Sequence, residues 1–69
     1  MPYADIADLP APIRHALPVH AQEIYRAAFN NAWARHPEEA VVHRIAWAAV
    51  KRSYTKRDGV WVPRLLPDS

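Results

Sequence analysis

The chain has 69 residues, and its nine Lys and Arg outnumber its seven Asp and Glu for a formal net charge of +2. This length allows one small domain with a single core, and it excludes a two-domain enzyme with a cleft between domains. The absence of cysteine excludes disulfides, thiolate zinc sites and thiol catalysis, so packing or oligomerisation must stabilise the fold.

The composition is typical of a helical, soluble protein, because alanine is abundant and there is a single glycine. No apolar run approaches the roughly 18 to 20 residues that span a bilayer. The opening MPYADIADLP has acids and prolines where a signal peptide has basic and apolar residues. We therefore expect a cytoplasmic protein without a transmembrane segment.

Prolines divide the first half of the chain into two helical segments. Asp8 is predicted to cap a short helix over about residues 9–16, which Pro18 ends because it disfavours helical angles at the residue before it. From Pro18 to about Arg35, apolar residues recur every three or four positions. This period predicts an amphipathic helix.

A third helix is predicted from Pro37 to about Tyr54. Pro37 suits a first helical turn, and acids follow it where the positive end of the helix dipole favours them. Only one or two residues would separate this helix from the preceding one. Such a short connection favours a tight antiparallel pair.

A β-hairpin is predicted after the third helix, because Asp58-Gly59 is a strong turn signal between β-prone residues. Alternation places Val60 and Val62 on one face of the hairpin and Trp61 on the other. Two strands alone are marginally stable in water, so we expect residues 2–4 to add a third.

The predicted fold class is therefore mostly α (α+β), with a short N-terminal helix, two main antiparallel helices and a small C-terminal β-hairpin or sheet. We expect residues 1–62 to form one domain, and residues 63–69 to form a flexible C-terminal tail.

Two aromatic-bearing helical strings in this chain, HAQEIYRAAFNNAWARH and HRIAWAAVKRSY, are followed by DGVW and preceded by the opening MPYADIADLP. Over residues 1–62 the chain resembles the ChaB family of cation transport regulators. The resemblance implies a small helical domain with a short C-terminal sheet, and a role in modulating a cation/proton antiporter. Many ChaB-like chains have an acidic, polar insertion between the two main helices, where this chain has only His36-Pro37-Glu38. ChaB-like segments also occur beside nucleic-acid-binding modules and in large DNA viruses, which implies a second functional direction.

The aromatic side chains are expected to form the core. On the second helix, Tyr25, Phe29 and Trp33 are spaced four residues apart and so share one face. Trp61 has the best claim to an exposed position, because the outer face of a hairpin is often solvated. An exposed Trp61 could stack on a nucleic acid base.

The positive charge is concentrated in the last third of the chain. Residues 1–43 hold three basic and five acidic residues, whereas residues 44–69 hold six basic and two acidic residues. Lys and Arg at a helix C-terminus also complement the helix dipole, so the excess has a structural as well as a binding interpretation. The predicted partner-binding residues are Arg44, Lys51, Arg52, Lys56, Arg57 and Trp61.

No catalytic, cofactor-binding or metal-binding residue is predicted. Serine and threonine together number only three, and one glycine cannot form a glycine-rich phosphate loop. A helical metal site requires histidines three or four residues apart on one face. The separations between successive histidines are five, sixteen and seven residues, which favours surface or capping roles for His15, His20, His36 and His43.

These observations predict a non-catalytic binding module. The resemblance implies a larger protein partner, at the cytosolic face of a membrane cation/proton antiporter. Two alternatives stay open: nucleic acid bound by the same basic and aromatic residues, and a homo-oligomer formed through an exposed apolar patch.

Overall fold

The structure, a computed structural model, describes residues 2–64. It confirms a mostly helical fold with a small antiparallel hairpin after the last helix. Within these residues, none of the helices combines the length and apolar character that crossing a membrane requires. The elements in chain order are a 3-10 turn (Ile6–Asp8), α1 (Ala11–Ala16), α2 (Val19–Arg35), α3 (Glu39–Ser53), β1 (Tyr54–Arg57) and β2 (Val60–Pro63).

The start of α1 differs from the prediction that Asp8 caps it. Among the described residues, no side chain caps α1. Asp5 caps the preceding 3-10 turn, where its side chain accepts a hydrogen bond of 3.1 Å from the backbone N–H of Ala7. Pro10 then has extended backbone angles, with φ −56° and ψ 146°. Helix α1 therefore begins at Ala11, two residues after the predicted start. The turn directs Leu9 into the core, where 2% of it is exposed.

The connection between α2 and α3 consists of residues 36–38. It is slightly longer than predicted, because Glu38 is extended, with φ −131°, and Pro37 precedes the helix instead of lying in its first turn. Tyr25 on α2 contacts both His43 and Trp47 on α3, so α3 runs back along α2. The predicted antiparallel pair is therefore present, and it makes the most extensive contact in the fold.

The core lies between α2 and α3. The largest fully buried side chains are Tyr25 and Phe29 on α2 and Val42 and Val50 on α3. The fully buried residues of α2 include two large rings, whereas those of α3 are small or β-branched and include Ala46. The prediction of an aromatic core is confirmed for Tyr25 and Phe29. Replacing a buried ring of this kind by alanine typically costs about 3–5 kcal/mol of stability.

Residues 2–4 do not form the expected third strand, and the sheet of the described residues contains β1 and β2 alone. The backbone N–H of Tyr3 donates to Oδ1 of Asn30, and Nδ2 of Asn30 donates to the carbonyl of Tyr3, each at 2.8 Å. The ring of Tyr3 lies 4.8 Å from that of Phe29. The amide of Asn30 thus satisfies both backbone groups that a neighbouring strand would have paired.

Polar side chains also join the short α1 to its neighbours. Gln22 is buried on α2, and its Nε2 donates to the carbonyls of Leu17, at 2.8 Å, and Arg14, at 3.2 Å. These carbonyls are at the end of α1, where the helix leaves them without partners. A buried amide that occupies them stabilises the corner between α1 and α2.

The hairpin has the predicted turn, since Asp58 and Gly59 both have positive φ, at 53° and 78°. Glycine adopts this conformation without strain, and aspartate tolerates it better than most residues. Lys56 pairs with Trp61 and Thr55 with Val62, so Lys56 and Trp61 share one face of the hairpin. The sequence analysis assigned Pro63 to the tail, but it ends β2; residues 65–69 of that tail lie outside the described residues.

A tyrosine–histidine pair lies at the edge of the core. The hydroxyl of Tyr25 is 2.5 Å from Nδ1 of His43, which lies at the surface. Burial raises the pKa of Tyr25 to about 12, and the charges of Tyr3 and Glu39 act in the same direction. The neutral phenol is therefore the form that the folded chain favours.

Replacing Asn30 by alanine should destabilise the chain by about 1–3 kcal/mol, because both hydrogen bonds to Tyr3 are lost. Asn31→Ala is the matched control, since Asn31 is the exposed neighbour on the same helix and should cost less than about 0.5 kcal/mol. Urea unfolding followed by circular dichroism measures both. Equal losses in the two variants would contradict the anchoring role of Asn30.

The stability of the chain should fall above pH 10, in a way that depends on Tyr25. Below pH 10 the phenol is protonated in both states; between pH 10 and about 12 the unfolded chain loses the proton while the folded chain retains it. Unfolding then releases a proton, so the free energy of unfolding falls by about 1.4 kcal/mol per pH unit.

Tyr25→Phe cannot titrate at this position, so its free energy of unfolding should fall less steeply over the same pH range. Guanidinium unfolding of both proteins at intervals from pH 8 to 11 measures the difference. Parallel curves for the two proteins would show that Tyr25 does not carry the effect.

Candidate interaction surface

Five of the six predicted partner-binding residues are exposed cations, carried by the last helix and the strand that follows it. Arg44, Lys51 and Arg52 are on α3, whereas Lys56 and Arg57 are on β1, which follows α3 directly. We call these five residues the cationic surface. It exists because the same helix that buries Val42, Ala46 and Val50 on one side carries its cations on the others.

The cations of this surface have no acidic partner among residues 2–64. The ion pair that the structure shows there joins His20 to Glu23, 3.7 Å apart on the first turns of α2. No carboxylate oxygen of the described residues lies within 4.0 Å of a charged side-chain nitrogen of the cationic surface. Its charge is therefore available to a partner.

The sequence analysis gave Trp61 the best claim to an exposed position, on the outer face of the hairpin. The structure places it on the face toward α3. It is partly buried, and its ring lies 5.5 Å from that of Trp47 on α3. Nζ of Lys56 lies 6.0 Å from the centre of the Trp61 ring, at the limit of a cation–π contact. Trp61 therefore joins the hairpin to α3 and supports Lys56, and little of its ring is open to stacking.

Arg64 lies next to the cationic surface, at the end of α3. Its Nε donates to the carbonyl of Lys51 at 3.0 Å, and its backbone N–H donates to the carbonyl of Ser53 at 2.9 Å. These bonds occupy carbonyls at the negative end of the helix dipole. Lys51, Arg52 and Arg64 surround a shallow depression beside Ala48. The sequence analysis counted Arg64 as basic but placed it in the tail.

A groove between α2 and α3 was missed by the sequence analysis. It has a volume of about 530 Å³ and continues from the depression at Arg52, which lines both. Ile45 lies in this groove with 41% of its surface exposed. The apolar stripe of α3 is broad enough to include Ile45, but periodicity alone does not show that the packing against α2 leaves it uncovered. The lining residues are Ala28, Asn31, Ala32, Arg35, His36, Ile45, Ala48, Ala49 and Arg52.

The described residues contain no cluster of three His, Asp or Glu side chains that could hold a metal ion. The predicted cations lie on α3 and β1, but they do not share one face. Lys56 lies with Trp61 on the face of the hairpin toward α3, Arg57 lies on the opposite face, and Arg52 turns toward the groove. The arrangement is that of a binding surface with several charged facets.

Comparison with known proteins identifies relatives over most of the chain. A family model described as ChaB matches residues 9–64. The "Putative cation transport regulator ChaB" of Escherichia coli K12 is 44% identical over 68 aligned positions, which cover 84% of this chain and 90% of that protein. A protein of the same name from Shigella flexneri matches to the same extent. An uncharacterised protein of Lymantria dispar multicapsid nuclear polyhedrosis virus is 35% identical over 63 positions, covering 91% of this chain and 65% of that protein.

The alignment with the Escherichia coli protein includes positions that this chain lacks. Its 68 aligned positions cover 84% of this 69-residue chain, which is 58 residues, so ten positions have no counterpart here. In structure, the chain is similar to the "NMR solution structure of the putative cation transport regulator ChaB", with a TM-score of 0.82 and 40% sequence identity. This likeness covers 91% of this chain and 99% of that one. The sequence and structural matches together establish that this chain belongs to the ChaB family.

Proposed function

We propose that this chain is a non-catalytic regulatory module of cation transport, which docks on a larger protein through its cationic surface. The observation that carries the proposal is that five exposed cations on α3 and β1 have no acidic partner among residues 2–64. Uncompensated surface charge speeds association with an oppositely charged partner and selects against others. The binding face of that partner should therefore be acidic.

The family supports the choice of partner. Relatives that match most of this chain are named cation transport regulators. We therefore place the partner among cation transport proteins, and specifically at the cytosolic face of a cation/proton antiporter. The module has a small rigid core and an unsatisfied charged surface, which suits a protein that acts by binding.

Nucleic acid is the weaker candidate, because the aromatic rings are used inside the fold. Binding of single strands typically combines a basic groove with ring faces on which bases stack. All seven Phe, Tyr and Trp side chains are buried or partly buried, and Trp61 is flanked by Trp47 and Lys56. The cationic surface therefore lacks an open stacking platform.

The test of this proposal is recovery of a detergent-solubilised cation/proton antiporter on the immobilised full chain. Neutralising three cations, in Lys51→Gln/Lys56→Gln/Arg57→Gln, should reduce recovery at least about tenfold, and reversal to Glu should abolish it. The matched control is Ala7→Glu/Ala27→Glu/Ala40→Glu, which lowers the net charge by the same three units at exposed alanines elsewhere. This control should recover the antiporter as the wild type does.

Three results would overturn the proposal: no recovery by the wild type, equal recovery by the neutralised variant, or equal loss in the alanine control. A labelled single-stranded oligonucleotide, titrated at two salt concentrations, tests the alternative. Tight binding at low salt that weakens steeply with added salt would favour nucleic acid. Circular dichroism melting shows whether each variant is folded.

A further inference from the structure

The groove between α2 and α3 is apolar along its floor and open to solvent. Four alanines, two from each helix, form most of the floor, and their small side chains leave the groove unfilled. Ile45 adds a larger apolar side chain at 41% exposure. Folding leaves this apolar surface uncovered within residues 2–64, although the same two helices bury Tyr25 and Phe29 completely on their shared face.

The groove is positively charged at both ends. Arg35 is the last residue of α2 and Arg52 lies in the last turn of α3, so in an antiparallel pair they mark opposite ends. His36 lies beside Arg35, and Arg64 lies beside Arg52. None of the residues that line the groove or the adjoining depression is acidic.

We propose that this groove binds an acidic amphipathic helix of the partner protein, which names the chemistry of the partner and rests on the proposed docking function. The apolar face of that helix covers Ile45 and the alanine floor. Its carboxylates pair with Arg35 at one end and Arg52 at the other. Docking of an amphipathic helix in a groove is a common mode of peptide recognition, and it uses anchors spaced by three and four residues.

The dimensions of the groove define the helix further. Ile45 and Arg52 are seven residues apart on α3, which corresponds to about 10 Å, or two turns, at 1.5 Å per residue. Two turns of the partner helix therefore span the groove, and a helix of about 10–12 residues extends slightly past its ends. Its acidic residues should be about seven positions apart, with two or three large apolar residues between them.

A second copy of the chain is a poorer occupant for electrostatic reasons. The outer side of α3 carries Arg44 and Lys51, so a copy that presented this helix would bring cations against Arg35 and Arg52. Like charges placed together across an interface are destabilising. Helix α1 of a second copy has six residues, which is too short to span the two turns of the groove.

The experiment selects peptides from a phage-displayed library of random 16-residue sequences on the immobilised full chain. The same selection is run on Ala48→Glu, which places a negative charge in the groove at an exposed position. Ala40→Glu is the matched control, because Ala40 is an exposed alanine of α3 that does not line the groove. Wild type and Ala40→Glu should enrich peptides with Asp or Glu seven positions apart and apolar residues between them.

The enriched peptides are then synthesised and their affinities measured by fluorescence anisotropy. Ala48→Glu and Arg52→Glu should each weaken binding at least about tenfold, which corresponds to about 1.4 kcal/mol. Enrichment of basic or uncharged peptides, no enrichment above background, or equal binding by Ala48→Glu would overturn the groove as the site. Concentration-dependent dimerisation that the peptide cannot compete with would assign the groove to a second copy.

Failure of this inference is distinguishable from failure of the docking function. Lys56 and Arg57 lie on the hairpin and do not line the groove. If Ala48→Glu still recovers the antiporter and Lys56→Glu/Arg57→Glu does not, docking uses the cationic surface without the groove. If neither variant matters, the docking function itself fails.

Discussion

Packing of Tyr25 and Phe29 against α3 is the interaction on which the rest of this domain depends. With 69 residues and no cysteine, the chain cannot hold its two long helices together by a disulfide and relies on side-chain packing. The two rings share one buried core with Val42, Ala46 and Val50, whose small volumes allow close approach of the helices. Because α3 is thereby fixed, the hairpin that follows it is fixed as well, through Tyr54 in the core and Trp61 against Trp47.

The assignment of aromatic residues to the core explains why the cations are free. In a small domain most large apolar side chains are needed for stability, and here they are buried or partly buried. Acidic residues meanwhile have local structural roles, such as the cap formed by Asp5 and the first turn of α3 at Glu39. The cations of α3 and β1 have no acidic partner among residues 2–64, and Lys56 lies near the ring of Trp61. In such a domain the folded core provides stability, and the exposed cations are available for binding.

Short polar contacts stabilise the parts of the chain that lack regular structure. Asn30 receives the backbone of Tyr3, Gln22 occupies the last carbonyls of α1, and Arg64 occupies those of α3. Each of these side chains satisfies backbone groups that would otherwise lack partners. The same logic explains why the sheet has two strands among residues 2–64, since the backbone of Tyr3 finds its partner on α2.

The sequence by itself determined the helices, the hairpin turn, the family and the concentration of positive charge, because each depends on residues close together in the chain. Periodicity of three and four predicted α2 and α3, proline ended the helices, and Asp58-Gly59 predicted the turn. Only the tertiary structure decided the face on which Trp61 lies, the partner of Tyr3 and the groove beside Ile45. These features depend on contacts between distant segments, such as Tyr3 with Asn30, and on the angle at which two helices cross. A local pattern shows which side of a helix is apolar, but not how much of that side its neighbour covers.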